Sequence, residues 1–269
     1  MDESLKEWSR QLKIDILRMF YHSRHGHLAS AMSCAEIMAV LYFGCYEQAN
    51  GDRVVLSKGH GGAALYAVLA EKGVLRKEEL SSFYDYGTRL IALATYGVPG
   101  IEVSGGSLGQ GICYATGLAK GLQLDGSNAY VYCVVGDGET QEGSVWEAAA
   151  FAAAQKLDHL VVVIDDNQIQ CTGRTSQIVP MESMAEKWHA FGWQTYETDG
   201  HDTTALAEII RNAKITKGKP LAIVAHTVKG HGVACIANQD ECHMMIPKEN
   251  EWDTICEEFG ITREELEFA

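Results

Sequence analysis

Short β-rich runs alternate with segments of helical period along the whole chain, and this alternation constrains the fold more than any other feature. The runs are Arg53 to Ser57, Ala129 to Val135, Leu160 to Asp165, Gln194 to Thr198 and Leu221 to His226, each bounded by turn residues. Several are apolar throughout, as expected of strands covered on both faces. Leu5, Trp8, Leu12, Ile16 and Met19 fall at helical spacing, and Gly62 to Glu71, Leu108 to Leu122 and the Ala-rich Val145 to Gln155 read as further helices. Ser33 followed by Glu36 has the form of a capping box before a helix over Ile37 to Phe43. The pattern predicts an α/β fold: a doubly wound, mainly parallel sheet with helices on both faces. Ligands of such sheets sit at the carboxyl ends of the strands.

A chain of 269 residues, 46% of them hydrophobic, suits one such domain over 1–269. Its formal charge of −14 argues against nucleic acid or an anionic membrane as partner, since phosphate surfaces require Lys/Arg stripes. The eight cysteines are scattered with no C-x-x-C pair, which points to reduced thiols. No signal-peptide core or membrane-length apolar run is visible, so a cytoplasmic protein is expected. The tail from Asn250 onward reads as a short acidic helix on the solvated surface.

Chemistry concentrates in Val134-Val135-Gly136-Asp137-Gly138-Glu139, followed by a helix and then by the strand that ends in Asp165-Asp166-Asn167. Glycines on each side of Asp137 let the backbone turn off the strand and approach a phosphate, leaving the carboxylate to bind a hard cation. Asn167 can add a neutral oxygen. Magnesium and calcium both prefer oxygen ligands, so an acid, an amide, a backbone carbonyl and phosphate oxygens make a coherent shell. G-D-G alone is a common turn; the strand, helix and second strand ending in Asn around it are what make it specific.

This pattern resembles the thiamine-diphosphate fingerprint, and its surroundings resemble transketolases. Gly136-Asp137-Gly138-Glu139-Thr140-Gln141-Glu142-Gly143, with Glu147 beyond, is similar to the family's GDG…QEG…E segment. Leu56-Ser57-Lys58-Gly59-His60 resembles its KGH turn, the stretch from Pro99 to Gly111 its PGVE…SLGQG loop, and Ala225-His226-Thr227-Val228-Lys229-Gly230 its HTVKG strand end. The resemblance implies thiamine diphosphate as cofactor, clamped by Mg²⁺ or Ca²⁺ on Asp137, the Asn167 side chain and the Ile169 main-chain oxygen. It assigns His60 and His243 to the diphosphate or the reacting centre, with Gly106, Leu108, Gly136, Gly138 and Glu139 around the cofactor. His27 is a candidate substrate contact, and Glu142, counted with the catalytic residues, lies with Glu147 in an interface network between cofactor sites.

Two departures bear on the substrate. Where the family has a Gly-His-Pro whose histidine touches the donor sugar, this chain reads Leu90-Ile91-Ala92-Leu93-Ala94-Thr95-Tyr96, and Met244 replaces the glycine after the His243 equivalent. A sugar or sugar-phosphate substrate is implied, with a branched, deoxy or sulfonated ketose as an alternative. The family activates its cofactor with a glutamate carried on a second, pyrimidine-binding domain, so a C-terminal transketolase subunit is the expected partner, in a heterotetramer. Rival readings are the α-subunit of a 2-oxoacid dehydrogenase, a 1-deoxyxylulose-phosphate synthase fragment, and a non-catalytic cofactor-binding regulatory chain. A zinc site on His22, His25 and His27 has suggestive spacing but lacks a fourth ligand.

Overall fold

The computed structural model describes residues 2–213 and 217–268. Its strands are β1 (Arg53–Leu56), β2 (Val131–Gly136), β3 (Leu160–Asp166), β4 (Ile169–Gln170), β5 (Gly173–Arg174), β6 (Gln194–Asp199) and β7 (Leu221–His226). The helices are α1 (Asp2–Ser23), α2 (Leu28–Ser33), α3 (Ala35–Ala39), α4 (Gly62–Glu71), α5 (Gln110–Leu124), α6 (Gly143–Ala154), α7 (Thr175–Ile178), α8 (Met184–Ala190), α9 (Thr203–Ala213), α10 (Trp252–Phe259) and α11 (Arg263–Leu266). Five strands form one parallel sheet in the order β1-β2-β3-β7-β6, and β4 and β5 make a small antiparallel hairpin.

Successive residues of a strand point to opposite faces, and here both faces are covered. Val54, Tyr132, Val134, Val161, Val163 and Ile223 join the core built with α1, α3, α4 and α9. Val55, Cys133, Val135, Val162, Ile164 and Val224 join a second core with α5, α6 and α8. That is why these strands contain no polar alternation. The register sets Gly136 beside Asp165 and Asp166 beside His226, so the strands end together and their acids share one edge.

The capping-box expectation at Ser33 and Glu36 is corrected. Neither side chain caps α3, which continues as a π-helical turn over Val40–Cys45. Glu36 is instead buried against Lys13, His201 and His231. Glu36, His201 and His231 place potential metal-ligand atoms within 4.8 Å of one another. The backbone N–H of Val228 donates to His201 Nε2 at 2.8 Å, so that nitrogen is already used. Lys13 Nζ bridges Glu36 and His231 Nδ1. The Lys13–Glu36 ion pair and the two flanking histidines tie α1 and α3 to the loops after β6 and β7.

The tail is also corrected: α10 and α11 are more than a solvated element. Trp252, Ile255, Cys256 and Leu266 are buried, and the Trp252 ring meets Tyr21 of α1 edge-on at 5.0 Å. No helix among the described residues is long and apolar enough to cross a membrane.

Candidate functional site

A cavity of about 310 Å³ opens at the carboxyl edge of the sheet. It is lined by the candidate metal, cofactor and catalytic residues named from the sequence: His27, His60, Gly106, Leu108, Gly136, Asp137, Gly138, Glu139, Glu142, Asn167, Ile169 and His243. The ends of β2 and β3 deliver Asp137 and Asn167, the turn after β1 delivers His60, and the start of α2 delivers His27.

Asp137 is 5% exposed, and its Oδ2 is buried with no hydrogen-bond partner. Burial, reinforced by the nearby Asp165 and Asp166 charges, pushes its pKa up to about 6. A buried carboxylate oxygen without a donor is costly unless a cation meets it. Asn167 Oδ1 accepts from Ile169 N–H at 3.2 Å, and the Ile169 carbonyl accepts from Lys229 Nζ at 2.5 Å. An acid and two neutral oxygens thus line one corner, the donor set a hard divalent cation prefers.

The three histidines form a second wall. Ring centroids are 5.8 Å apart for His27 and His60, 5.1 Å for His27 and His243, and 5.5 Å for His60 and His243. Burial, with the Lys58 and Lys229 charges adding to it, lowers all three pKa values: His60 falls well below its ordinary value and His243 to about 3. They are neutral imidazoles at physiological pH. Lys229 Nζ donates to His243 Nδ1 at 3.0 Å, which puts the His243 proton on Nε2, while His27 Nδ1 is buried without a partner.

Glu139 lines the cavity with its carboxylate already engaged. Oε1 accepts from Ser57 Oγ and from Gly109 N–H at 2.8 Å, and Oε2 accepts from Gly136 N–H at 3.0 Å. It clasps the turn after β1, the loop before α5 and the end of β2 into one floor. Glu142 is exposed at the start of α6. At Gly138 a Cβ would lie 2.9 Å from Gln170 Cβ, so the close approach that demands glycine there includes the β4–β5 hairpin. Gly105 and Gly59 pass so closely that a Cβ on Gly105 would lie 2.5 Å from Gly59 Cα.

Lys229, Gln141, Gln170, Cys171 and Leu93 also line the cavity and were not singled out from the sequence as site residues. Lys229 stands inside the recognised Thr227-Val228-Lys229 motif, and its nearly complete burial is what marks it. Gln170 and Cys171 arrive through a hairpin of two-residue strands, entered at Gln168 with φ +65°, which no periodicity announces. Leu93 belongs to the stretch that lacks the family's donor histidine and gives this wall an apolar surface. The zinc expectation fails on geometry. His22 turns to Phe268, His25 to Tyr84 and His27 to His60 and His243, so the three rings are not brought together.

Residues 1–268 match the family model of the transketolase thiamine diphosphate binding domain. A 6-deoxy-6-sulfo-D-fructose transketolase subunit SqwG from Clostridium sp. (strain MSTE9) is 40% identical over 235 residues, 84% of this chain and 86% of that protein. A subunit of an apulose-4-phosphate transketolase from Phocaeicola vulgatus is 33% identical across 98% of this chain and 97% of its own length. The solved transketolase from Leishmania mexicana superposes with a TM-score of 0.86 at 31% identity, covering 96% of this chain and 41% of that one. The chain therefore spans most of the two subunits and less than half of the solved transketolase. Fold, motif order and these likenesses agree: the chain belongs to the transketolase family, as its thiamine-diphosphate-binding domain.

Proposed function

We propose that this chain is the diphosphate-binding subunit of a thiamine-diphosphate-dependent transketolase, which transfers a two-carbon ketol unit from a ketose to an aldose. One observation carries the reading: Asp137, Asn167 and Ile169 line the same cavity as three neutral histidines, and Asp137 keeps a buried oxygen with no partner. When bound, the cofactor supplies a nucleophilic carbon and an electron sink for breaking and forming the ketose C2–C3 bond. Asp137, Asn167 and the Ile169 carbonyl would hold Mg²⁺ or Ca²⁺ for the diphosphate, with Lys229 beside them on the Ile169 carbonyl. His60 and His243 offer neutral ring nitrogens to hydroxyls at the reacting centre, and His27 Nδ1 is free to take or orient a substrate proton.

A partner chain completes the site with the pyrimidine-binding domain, in a heterotetramer that we place in the cytoplasm. Two relatives named as subunits, each matched over most of its own length, support this arrangement. Glu142 and Glu147 are exposed, as residues that meet a neighbouring chain are before assembly. A second reading concerns the donor. The apolar Leu93 wall, and relatives named for a sulfonated ketose and for apulose 4-phosphate, favour an atypical ketose over the common sugar phosphates.

The test combines the purified chain with its partner, thiamine diphosphate, Mg²⁺ and an acceptor aldose, and follows formation of the new ketose and release of the donor's aldose from a panel of ketoses including sulfonated and branched ones. Turnover in the mixture, and none with either chain alone, is expected. Absence of turnover with every ketose, in a mixture that binds the cofactor, would leave the transferase reading without support.

A further inference from the structure

Asn167 can serve a cation only if its amide oxygen, and not its amide nitrogen, faces the metal corner. The two ends of the amide are nearly equal in shape, so the surrounding hydrogen bonds must choose between them. Asn167 Nδ2 donates to Ser33 Oγ at 3.1 Å and to Asp165 Oδ2 at 3.3 Å. Ser33 gives its own hydroxyl hydrogen to that same Asp165 oxygen, which leaves only lone pairs for the amide. Asp165 also accepts from Lys58 Nζ and Thr227 Oγ1, and both members of the Lys58–Asp165 pair are fully buried. An amide turned over would set its oxygen against two buried acceptors and point its N–H groups at the metal corner.

We propose that Asp165, acting through Ser33 and directly, is a positioning residue that locks the Asn167 amide with its oxygen toward the metal. This rests on the reading of Asn167 as a ligand. Lys58 and Thr227 hold the acid in place, so four buried side chains from α2, the β1 turn, β3 and the β7 turn converge to set one amide.

The test titrates Mg²⁺ into the enzyme assembled with its partner, in saturating thiamine diphosphate, and reads tryptophan fluorescence and calorimetric heat. Ser33→Ala removes one acceptor of Nδ2 without altering a charge, and a fall in Mg²⁺ affinity of about tenfold is expected. Ser33→Thr keeps the acceptor hydroxyl and should retain the parent's affinity. Unchanged affinity in Ser33→Ala, or an equal loss in Ser33→Ala and Ser33→Thr, overturns the proposal. Asn167→Ala tests the reading beneath it: unchanged affinity in that variant means Asn167 is no ligand, and the fault then lies with the site. Melting of each metal-free variant, followed by circular dichroism, checks the fold.

Discussion

The carboxyl ends of β2 and β3 lie side by side, and each presents a buried aspartate in an opposite condition. Asp165, at the end of β3, is surrounded by Lys58, Ser33, Thr227 and Asn167, and its pKa lies below the ordinary value. Asp137, just past β2, keeps an oxygen with no donor and has its pKa raised. Burial takes water from both acids, so the difference lies in what replaces it. The fold supplies a full set of partners to Asp165 and leaves Asp137 Oδ2 without one, although both acids sit at strand ends.

The comparison predicts a graded series. Asp165→Asn leaves Lys58 buried without its counter-charge, and denaturant unfolding of the metal-free chain should show a loss of about 3–5 kcal/mol. A loss under about 1 kcal/mol would mean that the Lys58–Asp165 pair does not hold the fold together. Glu36 adds a third condition, an acid shared by Lys13 and two histidines. Burial would raise its pKa, but the hydrogen bonds with His201 and His231 and the Lys13 charge more than reverse this, and the folded value lies below the ordinary 4.5. For an acid with a depressed folded pKa, the stabilisation is present above the unfolded pKa and is lost as the pH falls toward the folded one. The stability gap between the parent and Glu36→Gln should therefore be wide near about pH 7 and narrow near about pH 3; an unchanged gap would remove Glu36 from the series.

Asp137→Asn should change metal-free stability by no more than about 1 kcal/mol, because it deletes a buried charge whose Oδ2 has no internal partner. A penalty as large as that of Asp165→Asn would erase the contrast between the two strand ends. Glu142→Ala, exposed and outside both networks, should shift unfolding by less than about 0.5 kcal/mol and act only once the subunits assemble. A clear loss in the isolated chain would show that Glu142 serves the fold of its own chain.

Much of this was legible in the sequence because it is written locally. Strands apolar on both faces announced a covered parallel sheet, and Gly136-Asp137-Gly138 with a later strand ending at Asn167 announced the cavity. What stayed hidden depends on distant partners. Ser33 and Glu36 satisfy a capping pattern within four residues, yet Ser33 is held by Asp165, 132 residues away, and Glu36 meets His231 across 195 residues. Lys58 lies inside a recognised turn, but its role follows from an acid 107 residues further on. In the tail, acidic composition masked an apolar stripe of Trp252, Ile255 and Cys256 that joins the main core, with Trp252 against Tyr21 of α1. The β4–β5 hairpin brings Gln170 and Cys171 to the cavity through strands too short for any period to show.

The central claim is that Asp137 supplies the anionic ligand of the metal that clamps a diphosphate. Equilibrium binding of thiamine diphosphate to the assembled enzyme, with and without Mg²⁺, should be compared between the parent and Asp137→Asn, with unfolding of the metal-free chain measured alongside. The account predicts Mg²⁺-dependent binding in the parent, a fall of at least about tenfold in the variant, and nearly equal stability of the two chains. Equal cofactor affinity in parent and variant would contradict it.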